Sequence, residues 1–104
     1  IVDDLSEGHR ESVPREAPLH VFDIADRTRL GAVLAARRFD GVLHFAARCY
    51  VGESVKDPGS YYLANVARTV ELLETLREAG VTAFVFSSTC ATYGDPVRVP
   101  MDEE

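Results

Sequence analysis

Apolar residues along the chain cluster in four short runs that are separated by polar segments. The run LHVFDI at 19–24 alternates apolar and polar positions and carries β-forming residues, which predicts a strand. GVLHFAA at 41–47 is nearly continuous, a pattern typical of parallel strands that are covered on both faces. VTAFVFSS at 81–88 predicts a further strand, and Ile1-Val2 predicts the end of another.

Two helices are predicted between these strands. Asp26 suits the N-cap of the first helix, whose apolar face has the spacing i, i+3, i+4. Ser60 is predicted to open the second helix, of about 20 residues, and Gly80 suits the C′ position at its end. The polar segments 3–18 and 48–60 are predicted loops. The apolar face of the first helix consists of Leu30, Val33 and Leu34, and the expected core stripe of the second consists of Leu63, Val66, Val70, Leu73 and Leu76.

The alternation of strands and helices predicts βαβ units, and therefore an α/β fold with a doubly wound parallel sheet. Ligands of such sheets bind beyond the carboxyl ends of the strands. Residues that could carry function follow those ends in this chain. They are Asp3 and Asp4 after the first strand, Asp23 at the second, Phe45, Ala46 and Ala47 at the third, and Ser87, Ser88 and Thr89 at the last.

Each of these residues also has an ordinary structural explanation. Asp3 and Asp4 suit a solvated loop, and Asp23 suits an Asx turn. His44 alternates within an apolar strand, which is the pattern of a core histidine. Asn65 lies inside a helix, where asparagine is mildly unfavourable, so it suits either a surface position or a polar role. The hydroxyls of the last strand end lack the G-x-S-x-G pattern of a serine hydrolase, so acyl transfer is not expected.

The bulk properties exclude several classes of function. The 104 residues carry a formal net charge of −6 and no basic cluster, so no nucleic-acid partner is expected. No apolar run approaches the ~18 residues of a membrane span and no signal-peptide pattern is seen, so we expect a cytoplasmic protein without a membrane partner. His9 and His20 lack partners at ligand spacing, so no metal site is expected. Cys49 and Cys90 are expected to be free thiols.

Six segments together are similar to the NAD-dependent epimerase/dehydratase family of extended short-chain dehydrogenases/reductases. They are VDDLSEGHR, FDIAD, FDGVLHFAA, VGESVKDPGSYYLANV, LLETLREAG and FVFSSTCATYGDP, and they cover nearly the whole chain in order. The resemblance implies a Rossmann-type domain that holds NAD. It also implies a UDP-hexose 4-epimerase activity, in which a hydride leaves C4 of the sugar and returns to the other face. UDP-glucose and UDP-galactose would be interconverted through a 4-keto sugar.

The resemblance assigns roles to single positions. Asp3 matches the family's ribose-binding aspartate and Asp4 its neighbour, and an acid here favours NAD over NADP because it would repel a 2′-phosphate. Asp23 and Ile24 match the pair beside the adenine. Thr89 matches the catalytic serine or threonine, whose hydroxyl hydrogen-bonds the 4-oxygen of the sugar. The other implied cofactor contacts are Phe45, Ala46, Ala47, Asn65 and Ser87, with Cys49 at a position where many relatives have lysine.

The same resemblance predicts that residues 1–104 are the central part of a single NAD-binding domain. The family's glycine-rich turn and its Tyr-x-x-x-Lys pair have no match here, so we expect an internal fragment of a longer, homodimeric enzyme. The fragment would lack the first strand and the substrate domain and would be inactive alone. The Rossmann strand order 3-2-1-4-5-6 then places 19–24 and 41–47 on opposite sides of the gap left by strand one.

Two alternatives remain open. A sugar-nucleotide 4,6-dehydratase of the same family would carry an Asp-Glu pair after Thr89, where this chain has Cys90 and Ala91. A non-catalytic nucleotide-binding or regulatory module would hold the nucleotide without a Tyr-x-x-x-Lys pair. The substituent at C2 of the hexose also stays open, because the family residues that contact it match no position here.

Overall fold

The chain folds into parallel strand pairs and helices in a computed structural model, which describes residues 1–95 and 98–101. The strands are β1 (Val2–Asp3), β2 (His20–Val21), β3 (Val42–His44) and β4 (Phe84–Phe86). The helices are α1 (Arg27–Ala36), α2 (Val51–Lys56), α3 (Pro58–Tyr62) and α4 (Arg68–Glu78), with a π-helical turn (Leu63–Ala67) between α3 and α4 and short 3₁₀ turns at Arg10–Ser12 and Cys90–Tyr93. In the described part of the chain, no helix has the length and apolar character needed to cross a membrane.

The strands form two parallel pairs, β1 with β2 and β3 with β4. A cleft of about 510 Å³ is lined by residues of β1 and of β3 and by apolar side chains of α1 and α4. The two inner strands therefore face one another across a gap. This arrangement agrees with the predicted strand order, in which 19–24 and 41–47 lie on opposite sides of an interruption.

The strands are shorter than the sequence predicts. The predicted strand 19–24 is hydrogen-bonded as a ladder only over His20–Val21, 41–47 only over Val42–His44, and 81–88 only over Phe84–Phe86. Each strand has a partner on one side among the described residues, so only the positions opposite that partner form ladder bonds. The predicted strand positions and their parallel direction are confirmed, and the predicted lengths are wrong.

The core lies where α1 and α4 pack against the strand pairs. Leu30, Leu72 and Leu76 form its buried centre. His44 is 3% exposed and its ring stacks on Phe86, so the prediction of a core histidine is confirmed. Seven partly buried side chains surround the centre: Val2, Phe22, Ile24, Leu34, Val42, Val81 and Phe84.

The long helix begins earlier than predicted. Asp57 is its N-cap, accepting a hydrogen bond from the Ser60 N–H at 3.3 Å, and Pro58 occupies the first helical position. Ser60 therefore lies within the first turn and does not open the helix. The predicted end is confirmed: Gly80 has φ of +74°, its N–H donates to the Arg77 carbonyl at 3.1 Å, and Val81 N–H donates to Leu76 at 3.0 Å.

The predicted core stripe of this helix is wrong for four of its five members. Leu63, Val66, Val70 and Leu73 are exposed, and only Leu76 is buried. The helix is apolar on two faces, and periodicity alone does not tell which of them meets the core. The buried face consists of Tyr61, Ala64, Leu72, Thr75 and Leu76. The segment 48–60 was predicted as loop, but Val51–Lys56 forms α2 within it.

Candidate functional site

The carboxyl ends of β1, β2 and β3 converge on a second cleft, of about 280 Å³. The site therefore lies where the strand order predicts a ligand. It is bounded by the loop after β1, the turn after β2, the end of β3 and one face of the long helix. Its lining residues are Asp3, Asp4, Ser6, Glu7, Gly8, Asp23, Ile24, Phe45, Ala46, Ala47, Arg48, Ala64 and Arg68.

The loop after β1 folds closely over the carboxylate of Asp3. One carboxylate oxygen, Oδ1, accepts a hydrogen bond from the Leu5 N–H at 2.7 Å. A Cβ atom at Gly8 would lie 2.6 Å from the other oxygen, Oδ2, which is closer than real Cβ contacts. Gly8 is therefore required for this approach, and the Asp3 carboxylate is held half-buried at the cleft wall.

Asp4 is held by a turn of its own. Its Oδ1 accepts from the Ser6 N–H at 2.9 Å and from the Ser6 hydroxyl at 2.6 Å. These hydrogen bonds lower the pKa of the Asp4 carboxyl, with smaller contributions from the charges of Arg68 and Arg48. Asp4 therefore stays ionised, and the mouth of the cleft carries negative charge at neutral pH.

Asp23 has two partners at the end of β2. Its Oδ1 accepts from the Ala25 N–H at 2.9 Å, which is the Asx turn that the sequence permits. Its Oδ2 lies 2.9 Å from Nε of Arg68, the first residue of α4. Because both oxygens are held, the carboxylate has a fixed orientation within the cleft.

The end of β3 lines the opposite wall. Phe45, Ala46 and Ala47 follow His44 and are exposed. The alanines carry only a methyl group, so a ligand can approach the backbone closely there. Ala64 on the helix is equally small and also lines the cleft.

Asn65 follows the lining residue Ala64 in sequence but does not itself line the cleft. Its carboxamide hydrogen-bonds the backbone of the loop after β3. Oδ1 accepts from the Arg48 N–H at 2.8 Å, and Nδ2 donates to the Arg48 carbonyl at 2.9 Å. The Asn65 carbonyl lies in the π-helical turn and accepts from the Thr69 hydroxyl at 2.9 Å. A hydroxyl has one proton, so Thr69 Oγ1 must accept from Nε2–H of His44, 3.1 Å away.

The hydroxyls after β4 lie outside this cleft. The Ser87 N–H donates to the His44 carbonyl at 3.2 Å, which continues the pairing of β3 with β4. The Thr89 hydroxyl accepts from the Ala91 N–H at 3.2 Å and so caps the turn Cys90–Tyr93. Ser87 and Thr89 are both exposed. Cys49 is an exposed free thiol and also does not line the cleft, while the Cys90 side chain lies outside the described part.

The family profile of the NAD dependent epimerase/dehydratase family matches residues 1–104. The chain belongs to this family. It is 55% identical over 103 residues to the UDP-glucose 4-epimerase of Rhizobium leguminosarum bv. trifolii, covering 99% of this chain and 31% of that protein. It is 54% identical to the enzyme of the same name from Rhizobium meliloti (strain 1021), with the same coverage of 99% and 31%. The chain thus spans 31% of the length of these relatives.

Solved structures of epimerases resemble the fold closely. The UDP-glucose 4-epimerase from Brucella ovis in complex with NAD is 44% identical with a TM-score of 0.85, covering 98% of this chain and 31% of that one. The enzyme from Thermotoga maritima with UDP-glucose is 34% identical with a TM-score of 0.81, covering 94% and 32%. The prediction of a Rossmann-type α/β fold is confirmed.

For this member of the epimerase/dehydratase family, the structure brings together seven of the predicted site residues and adds others. The sequence analysis missed six lining residues, which are Ser6, Glu7, Gly8, Arg48, Ala64 and Arg68. Ala64 and Arg68 are four residues apart, so they share one helix face, a signal available once the helix is known to face the strand ends. The seven predicted residues that line the cleft are Asp3, Asp4, Asp23, Ile24, Phe45, Ala46 and Ala47.

Proposed function

We propose that this chain is the central part of the NAD-binding domain of a UDP-hexose 4-epimerase. The enzyme would interconvert UDP-glucose and UDP-galactose through a 4-keto sugar. The observation that carries the proposal is the cleft at the strand ends, where the fixed carboxylates of Asp3 and Asp23 face the small residues Ala46 and Ala47. The 55% identity to a UDP-glucose 4-epimerase supports the same activity.

The cleft residues fit NAD. The Asp3 carboxylate follows the first described strand and suits the hydroxyls of the adenosine ribose, and its negative charge disfavours the 2′-phosphate of NADP. Asp23 and Ile24 suit the adenine, since a fixed carboxylate accepts from an amino group. Phe45, Ala46 and Ala47 would lie along the cofactor, with Ser87 and Cys49 as further contacts. Bound NAD would supply the acceptor for the C4 hydride and then its donor.

Thr89 is proposed to act on the sugar. Its hydroxyl is exposed at the end of β4, where it can donate to or accept from the 4-oxygen of a hexose. It would orient that oxygen while its proton is transferred, a contribution of about 10²–10⁴-fold for one positioned proton-transfer partner. Cys90 and Ala91 follow Thr89 and cannot exchange protons as a carboxylate pair does, which favours epimerisation over 4,6-dehydration.

Activity of the full-length protein carrying this chain tests the proposal. Purified protein should convert UDP-galactose to UDP-glucose with NAD present. Thr89→Val, which keeps the volume and loses the hydroxyl, should lower kcat about 10²–10⁴-fold, and Thr89→Ser should retain much of it. Asp3→Ala should weaken NAD binding by about 1.5–3 kcal/mol, and it should reduce the preference for NAD over NADP. A 4-keto-6-deoxy product, a wild-type rate for Thr89→Val, or a preference for NADP would contradict it.

We infer that the full-length enzyme is a homodimer joined through the exposed stripe of the long helix. Tyr62, Leu63, Val66, Val70 and Leu73 are between 42% and 71% exposed and lie along one side of it. An apolar stripe of this length on a surface marks an interaction site. Val66→Glu combined with Val70→Glu should yield monomers in sedimentation, and Thr28→Glu on α1 should not. An unchanged dimer in the double variant would contradict this interface.

We also propose a cytoplasmic location, which the exposed free thiol of Cys49 suits because reducing compartments preserve such thiols. Epimerase activity should then fractionate with the cytosol of the source cells. Activity confined to a membrane or exported fraction would contradict the proposal.

A further inference from the structure

Arg68 places a cation inside the cleft and against one of its carboxylates. It is the first residue of α4, and its guanidinium Nε lies 2.9 Å from Oδ2 of Asp23. The two side chains are 34% and 33% exposed, so the pair is screened less than ion pairs on the open surface. Arg68 therefore interacts with two carboxylates of the cleft. It forms an ion pair with Asp23, and its charge makes a smaller contribution to the lowered pKa of Asp4.

The cleft is lined by more carboxylates than cations, so the positive charge of Arg68 matters for binding an anionic ligand. Asp3, Asp4, Glu7 and Asp23 line it, against Arg48 and Arg68. A dinucleotide brings two further negative charges on its pyrophosphate at neutral pH. The guanidinium of Arg48 has partners outside the lining: its carbon lies 5.9 Å from the centre of the Tyr61 ring and its Nη1 lies 3.5 Å from the Ser60 hydroxyl, and neither residue lines the cleft.

Arg68 also fixes the orientation in which the Asp23 carboxylate is presented to a ligand. Oδ1 of Asp23 is held by the Ala25 N–H and Oδ2 by Arg68. Each carboxylate oxygen accepts up to two hydrogen bonds, so both retain capacity for a donor from a ligand. Without Arg68 the carboxylate would be held at one oxygen only and could rotate.

We propose that Arg68 is a positioning residue for the adenine end of the bound dinucleotide. It fixes the Asp23 carboxylate towards the exocyclic amino group of the base, and its charge offsets the carboxylates that would otherwise repel the anionic ligand. This inference rests on the proposed NAD-binding function. It assigns base recognition to the ion pair of Arg68 with Asp23, which joins the long helix to the turn after β2, and not to Asp23 alone.

The test is a titration of nucleotide-stripped, full-length protein with NAD and with its deamino analogue, nicotinamide hypoxanthine dinucleotide. Arg68→Gln should raise the Kd for NAD about tenfold, the scale of one charge-assisted hydrogen bond. It should also reduce the preference for NAD over the deamino analogue. Arg68→Lys should recover part of both effects. Arg29→Gln is the matched control, because Arg29 pairs with Asp26 on the exposed surface of α1 and does not line the cleft.

A double-mutant cycle separates positioning from general stability. In an Asp23→Asn background, Arg68→Gln should change the discrimination between the two dinucleotides little, since its partner is already neutral. Wild-type protein that binds NAD while Arg68→Gln binds it equally, with unchanged discrimination, would overturn the inference alone. A folded wild-type protein that binds no NAD would overturn the proposed function and this inference together.

Discussion

The carboxamide of Asn65 holds both backbone groups of Arg48, accepting from its N–H at 2.8 Å and donating to its carbonyl at 2.9 Å. This pair of hydrogen bonds ties the loop after β3 to the long helix at its π-helical turn. The loop begins with Phe45, Ala46 and Ala47, which form one wall of the cleft. Asn65 therefore shapes the site without lining it, in a π-helical turn of the kind that often occurs at functional sites.

Replacing Asn65 should loosen this wall. Asn65→Ala leaves the part-buried N–H and carbonyl of Arg48 unpaired, which we expect to cost about 1–3 kcal/mol of unfolding free energy. The Kd for NAD should rise because the cleft wall is no longer held. Denaturant melts and NAD titration of the full-length protein measure both. Asn65→Asp keeps the acceptor but sets a second carboxylate oxygen against the Arg48 carbonyl, so it should not restore wild-type stability. An Asn65→Ala variant with wild-type stability and affinity would refute the role.

Gly8→Ala should disturb Asp3 without changing any charge. The added methyl group would lie 2.6 Å from Oδ2 of Asp3, so the carboxylate or the loop must move. We expect NAD affinity to fall by roughly the value of one hydrogen bond to a charged group, about 1.5–3 kcal/mol. Gly52→Ala in α2 meets no atom within 4 Å and is the matched control. Equal NAD affinity in the two variants would show that the Asp3 contact is not needed.

The buried His44 should make stability depend on pH. Burial lowers the pKa of its imidazole from the ordinary value of 6.5, so the unfolded chain binds a proton that the folded chain excludes. The stability that neutral, buried His44 contributes is therefore fully present above pH 6.5, and it declines as the pH falls from 6.5 towards the lowered pKa of the folded state. Thermal melts of the full-length protein from about pH 8 to 5 should show this decline in the wild type and less of it in His44→Phe. His9→Gln on the exposed loop should decline like the wild type; an identical decline in His44→Phe would exclude His44 as its source.

The 104 residues alone should not fold cooperatively. The facing strands β1 and β3 border an apolar cleft of about 510 Å³ and have no ladder partner on that side among the described residues. Unpaired strand edges and exposed apolar faces favour association over a unique fold. Circular dichroism of the isolated chain should show a broad melt, and titration should show no NAD binding. A sharp two-state melt with micromolar NAD affinity would contradict this expectation.

Local patterns in the sequence determined the order of the strands and of the two longer helices, and the place of the site. Strand and helix periods, the Asp26 cap and the C′ position of Gly80 depend on neighbouring residues, so they can be read without knowing the fold. The parallel direction follows from helices that connect successive strands. Parallel strands end at one edge, and Asp3 and Asp23 therefore meet in one cleft, as the sequence predicts.

Only the tertiary structure decided what depends on residues far apart in the chain. The long helix carries two apolar faces, and packing against α1 selected the one with Leu72 and Leu76 while leaving Leu63 and Val66 exposed. The contact of Arg68 with Asp23 spans 45 positions of sequence, and no local pattern indicates it. The sequence alone did not distinguish a surface position from a polar role for Asn65. Its position in the π-helical turn set its carboxamide against the Arg48 backbone, because the strand end and the helix approach there closely enough to share hydrogen bonds.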